Sequence, residues 1–175
     1  MQLFLSHAWG PDEEGRDARA RVVSLAGALR RRGWPVWLDS ERLHGNLDAA
    51  MAHGIDTCDA VLLCLTRHYC RKVNAAAASA RSTDNCYKEF AYAMARGKRV
   101  LPILLDASLR NPGAWSPGVV PMRIGGLVYV DASDVDAGVA ACRIATQLRR
   151  SGLRSGLRTR QRLLSRRPPP TAIYI

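Results

Sequence analysis

Apolar residues recur along this chain in two alternating rhythms. Gln2-Leu3-Phe4-Leu5-Ser6 is a short apolar run closed by a polar residue, the pattern of a strand buried in a parallel sheet. Trp9-Gly10-Pro11-Asp12 breaks it. Val22, Leu25, Ala26 and Leu29 then recur at helical spacing within residues 19–32, and Gly33 is a fitting helix stop. Pro35-Val36-Trp37-Leu38-Asp39 reads as a second strand, residues 40–46 as a loop and 47–57 as a second helix. Asp59 to Thr66 is a third strand and the most apolar run of all. Residues 67–83 read as a loop in which Ala75 to Ala78 allows one short turn. A further helix begins at Asp84 and ends at Gly97, and Arg99 to Leu105 is a fourth strand. Residues 106–123, rich in proline and glycine, are a long loop. Leu127-Val128-Tyr129-Val130 is a short fifth strand, and 135–148 is the last helix.

Strands alternating with helices imply right-handed crossovers and an α/β fold, with one five-stranded parallel sheet covered on both faces. In such sheets ligands bind in the crevice at the carboxyl ends of the strands. The segments that end there follow Ser6, Asp39 and Thr66.

The helix that follows the third strand carries the most telling residue. Asp84 suits its N-cap, where a carboxylate accepts orphan backbone N–H bonds at the positive end of the dipole. Tyr87, Phe90, Ala91 and Met94 take the i, i+3, i+4, i+7 spacing of a buried face. Glu89 lies off that stripe and shares a side with Asn85 and Cys86. Two readings are open: an ordinary solvated helix glutamate, or a carboxylate facing the crevice.

Composition narrows the class. With 175 residues the chain reads as one domain over residues 1–148 and a tail over 149–175. No run of 18 or more apolar residues is present and Met1 leads directly into a strand, so neither membrane span nor signal peptide is expected and a cytoplasmic location is. The five cysteines are odd in number and form no C-x-x-C pair, which suits reduced thiols rather than disulfides or zinc ligands. No His/Cys/Asp cluster has metal-ligand spacing. No G-x-G-x-x-G or P-loop is present either, so a nucleotide would not be held in the Rossmann manner.

Charge is concentrated at one end. Residues 149–167 hold eight arginines and no acid, and setting those eight aside reduces the net +11 to +3. Ser-Gly-Leu-Arg occurs twice there, followed by Pro168-Pro169-Pro170. Such an arm, frayed by its glycines, neutralises phosphates of nucleic acid or of an anionic membrane, or else is a solvated extension.

Three motifs in order resemble the Toll/interleukin-1 receptor/resistance (TIR) domain across about residues 2–148. Phe4-Leu5-Ser6-His7 is similar to the family's first box, two hydrophobic residues followed by Ser and Tyr or His. Gly33-Trp34-Pro35-Val36-Trp37-Leu38-Asp39, with Leu43 and Gly45, is similar to its second strand and BB loop, a residue or so shorter. Gly97-Lys98-Arg99-Val100-Leu101-Pro102-Ile103 is similar to the segment after its third helix.

The resemblance implies a flavodoxin-like doubly wound sheet and one of two activities. Some TIR domains assemble with other TIR domains; others cleave NAD+ at the nicotinamide–ribose bond, with a catalytic glutamate on the third helix, where this chain has Glu89. NAD+ would then be a substrate and no cofactor is implied. Ser6, His7, Ala8 and Trp9 stand where the family's first loop contacts substrate. Ser6 either caps the strand end or touches substrate. His7 contacts a phosphate or ribose, or is a polar surface group. Trp9 stacks on a base or covers a core edge. Asp39 orders the BB loop through backbone N–H groups or touches substrate. Arg42 meets the pyrophosphate or is an exposed loop arginine. Gly45 supplies a positive φ, and Leu47 packs beneath the loop. The position four before Glu89, tryptophan in many catalytic members, is Asn85 with Cys86 beside it; Tyr87 and Trp9 are rings that could substitute. Activity would depend on self-association through the BB loop. Attack by water yields ADP-ribose, attack by the adenine ring a cyclic product, and both stay open. The remaining classes are a non-catalytic TIR signalling module and nucleic-acid binding through the tail.

Overall fold

The five apolar runs pair, all parallel, into one sheet of order β2-β1-β3-β4-β5. The computed structural model describes residues 1–38, 46–79 and 83–156. Its strands are β1 (Leu3–His7), β2 (Val36–Trp37), β3 (Ala60–Leu65), β4 (Val100–Leu104) and β5 (Val130–Asp131). Its helices are α1 (Ala18–Arg31), α2 (Leu47–Thr57), α3 (Arg67–Ala77), α4 (Asn85–Ala95), α5 (Val119–Ile124) and α6 (Ala137–Arg150). This is the flavodoxin-like α/β architecture expected from the alternation of elements. Among the described residues no helix is long and apolar enough to cross a membrane.

Strand alternation splits the interior into two layers. Leu3, Leu5, Leu62 and Cys64 join the layer under α1 and α6, with Val22, Leu29 and Ile144. Phe4, Val61, Leu63 and Leu65 join the layer under α2 to α5, with Ile55, Tyr69 and Phe90. Each fully buried Leu or Phe there contributes roughly 1.5–3 kcal/mol.

Four local expectations are corrected. The loop expected over 67–83 is helix α3 from Arg67 to Ala77: Thr66 caps it by accepting from Tyr69 N, and Tyr69, Cys70, Val73 and Ala76 form its buried stripe. The polar Arg67, Arg71 and Lys72 occupy its other sides. Residues 106–123 hold two 3₁₀ turns and the start of α5. Asn74 of α3 fastens that segment, donating to Ser116 O and Pro117 O and accepting from Val120 N. The fifth strand is only Val130–Asp131; Leu127 and Val128 are exposed outside it. Finally, the buried face of α4 is Cys86, Glu89, Phe90 and Ala93, one residue out of register with the stripe read from sequence. Helix α6 runs to Arg150, and the tail beyond residue 156 lies outside the described residues.

Two contacts set the surroundings of the site. Trp37 stacks on Phe4 with ring centroids 4.4 Å apart, and Gly54 lies against the indole so closely that a Cβ would come within 2.8 Å of Trp37 Cε2. The missing side chain lets α2 settle onto the sheet. On the other layer Arg21 donates to Leu105 O, Ala132 O, Ser133 O and the Asp12 carboxylate, tying the loop after β1 to the ends of β4 and β5.

Candidate active site

From β1 the chain steps outward to β2, then returns to place β3 on the other side of β1. This reversal opens a crevice at the carboxyl ends of β1 and β3. Ser6 shares the parity of Phe4 and Ala8, so its hydroxyl faces the layer of α3 and α4. There Ser6 Oγ donates to Glu89 Oε2 at 2.6 Å and lies 2.9 Å from Tyr69 OH, where either hydroxyl has the geometry to donate. All three side chains are buried, Glu89 at 5% exposure and the other two at 0%. Glu89 is therefore not the solvated helix glutamate that its place off the apparent stripe suggested.

Beside Glu89 a groove of about 450 Å³ runs between α2 and α4, lined also by Met51, Ile55, Tyr87, Ala91 and Tyr92. Ion pairs clamp the two helices at each end. Lys88 Nζ reaches both Asp48 oxygens at 2.9 Å, and Arg96 Nε and Tyr92 OH both donate to Asp56. Those donors hold the Asp56 carboxyl below its usual range. Burial does the opposite inside: it pushes the Tyr69 phenol well up, an effect reinforced by the nearby Glu89 charge, and the Cys64 thiol up to about 12. Tyr69 thus stays protonated at neutral pH, and Cys64 does so on the opposite face of the sheet, so a negative charge in the Ser6–Tyr69–Glu89 chain belongs to the carboxylate.

The remaining candidates divide. Cys86 is buried on the face of Glu89 and its thiol donates to His7 O at 3.4 Å. His7 is no surface group: it is buried, and its parity with Leu3 and Leu5 sends the ring to the α1 and α6 layer, away from Glu89. Ala8 is buried in the core. Trp9 covers no core edge; it is 53% exposed, with the Arg19 guanidinium carbon 4.3 Å from its ring centre. Leu47 is half-buried at the start of α2, against the layer of Phe4. Asn85 is exposed, so it does not share the surface of Glu89 and Cys86. Asp39, Arg42 and Gly45 lie outside the described residues. Tyr69 was missed because α3 was read as a loop. The signal was present: Thr66 as a cap, with Tyr69, Cys70 and Val73 at helical spacing behind it.

A family model described as TIR domain matches residues 3–144. The chain belongs to the TIR domain family. No curated protein matched the chain. In this TIR domain the match begins at the first residue of β1 and ends inside α6, so Ser6, Tyr69 and Glu89 all fall within it.

Proposed function

We propose that this TIR domain is an NAD+ nucleosidase of the signalling or defence class, with Glu89 as the catalytic carboxylate and the α2–α4 groove admitting the substrate. The observation that carries the reading is a buried carboxylate, fixed by the Ser6 hydroxyl, at the wall of an open groove. Family membership supports contact with other TIR domains, and activity that requires such contact fits it.

The chemistry follows from charge. The bond from ribose C1′ to the nicotinamide nitrogen breaks, its electron pair neutralises the pyridinium, and positive charge develops on the ribose. A neutral base leaves, so no strong acid is needed. One carboxylate beside the ribose stabilises the growing cation, as in glycoside hydrolysis. Water then adds at C1′ and releases a proton to solvent. Removing such an electrostatic contact typically costs about 10²–10³ in rate.

The test is nicotinamide release from NAD+, followed chromatographically at high protein concentration for wild type and Glu89→Gln. Release that rises faster than linearly with protein concentration, and falls about 10²-fold or more in the variant, upholds the reading. No release from wild type, or equal release from both, overturns it. The second reading is a non-catalytic module that recruits other TIR domains. Asn85 favours it, because this exposed amide stands where many catalytic members carry a tryptophan.

A further inference from the structure

Three buried oxygens form one short chain, with Ser6 Oγ between Tyr69 OH at 2.9 Å and Glu89 Oε2 at 2.6 Å. A hydroxyl has a single proton to give. Ser6 gives its proton to Glu89, so the other contact must run from phenol to serine. We infer that Tyr69 is a positioning residue, whose O–H locks the Ser6 hydroxyl onto Glu89 and so keeps that carboxyl ionised and oriented. The inference rests on reading Glu89 as the working carboxylate.

Counting protons shows why the chain favours the charge. With Glu89 ionised, two O–H groups serve two contacts and none is wasted. A proton on Oε2 makes three O–H groups for the two contacts of this chain, so one hydroxyl of the chain loses its acceptor within it. Among the described residues the Tyr69 hydroxyl has Ser6 Oγ as its hydrogen-bond partner. A proton on the other Glu89 oxygen keeps both contacts but exchanges a charge-assisted bond for a weaker neutral one. Either route disfavours the neutral acid. The phenol cannot take over the role of anion, since burial keeps it protonated.

Other groups act on Glu89 as well, and they stay in place when the phenol is removed. Cys64 of β3 feels its charge from the opposite face of the sheet, Cys86 and Lys88 come from its own helix, and Asp48 of α2 lines the same groove. His7 follows Ser6 on β1 but projects to the opposite layer. A change on deleting one oxygen from Tyr69 therefore reports the relay alone.

The experiment uses the full chain labelled with ¹³C at glutamate side-chain carboxyls. The chain has four glutamates, and the resonance lost in Glu89→Gln identifies the one that matters. In Tyr69→Phe the titration midpoint of Glu89 is expected to rise by on the order of one pH unit. The acid limb of the kcat profile should move with it while KM holds, a split that simple loosening of the fold would not produce. A midpoint within about 0.2 unit of wild type, in a variant that melts like wild type, overturns the inference. If Tyr69→Phe fails to fold, Ser6→Ala decides: its midpoint rises at least as far, or the relay is wrong. Because this titration needs no turnover, the two readings fail separately. A shifted midpoint in a protein that releases no nicotinamide keeps the relay and removes the NAD+ activity. Release with an unmoved midpoint does the reverse.

Discussion

Ser6 and Glu89 are 83 residues apart in sequence, yet the serine hydroxyl donates to the carboxylate at 2.6 Å. The contact exists because β1 and β3 are neighbours at the sheet reversal, and α4 packs back over the end of β1. Replacing Ser6 with alanine removes one oriented donor and little volume. Direct loss of a charge-stabilising group costs about 10²–10³ in rate, and Ser6 acts through Glu89, so a fall of roughly 10-fold in kcat is expected. KM should stay within about 2-fold. Steady-state nicotinamide release, with thermal melting as a control, checks both.

The groove offers a second handle, separate from the carboxylate. Ala91 is half-buried on its wall, and Ala91→Phe places a ring in the space between α2 and α4. Stability should change by about 0.5 kcal/mol or less, as for most surface substitutions. Substrate entry should suffer far more, with kcat/KM down by roughly 10-fold or more. Unchanged kcat/KM would show that substrate enters elsewhere.

Lys88 and Asp48 close one end of that groove, with side chains 35% and 60% exposed. An ion pair so open to water contributes little, about 0–1 kcal/mol. Lys88→Ala is therefore expected to unfold in urea within roughly 0.5 kcal/mol of wild type at moderate salt.

How much of this was legible beforehand depends on the length and isolation of each pattern. Long apolar strands such as Ala60–Leu65 declared themselves, and the parallel sheet followed from the alternation. Glu89 was located on the right helix and beside Cys86, but the buried stripe was read one residue out of register and left it out. Helix α4 packs against both α2 and α3, so apolar residues cover a wide arc, and Tyr87, Ala91 and Met94 mimic a core stripe beside the true one. Helix α3 was hidden by its own composition: Arg67, Arg71 and Lys72 alternate with Tyr69, Cys70 and Val73, and an alanine run follows. With α3 went Tyr69, and with Tyr69 the third oxygen of the site. The short fifth strand failed for another reason. Leu127 and Val128 look like strand residues, but only Val130 and Asp131 reach a partner on β4.

Gly54 tests what sets the groove's depth. Its missing Cβ is what allows α2 to lie on Trp37, itself stacked on Phe4. Gly54→Val would improve helix propensity slightly and force the helix and the indole apart. Overpacking of this kind costs about 1–3 kcal/mol, so a net loss of roughly 2 kcal/mol is expected in urea unfolding. Trp37→Leu in the same chain should recover part of it, and a failure to do so would place the strain elsewhere.

Asp12 governs how the fold responds to acid. Burial pushes its carboxyl up, but bonds from Arg16 Nε, the Arg16 and Glu14 backbone N–H groups and Arg21 outweigh that and hold it below 3.8. A carboxyl lowered by folding adds stability that is present above its unfolded value, near 3.8, and is lost as pH falls through the folded one. Asp106, raised by burial, works in the opposite sense, so the informative quantity is the difference between wild type and Asp12→Asn. At pH 7 that difference is expected to be about 3 kcal/mol, since the variant leaves the Arg21 guanidinium in the interior without its carboxylate. Below about pH 3.8 it should shrink steadily, because wild-type Asp12 becomes neutral as well. Urea unfolding at a series of pH values measures it. A difference that stays constant from pH 7 to pH 2.5 would mean that the contribution of Asp12 is one of shape and not of charge.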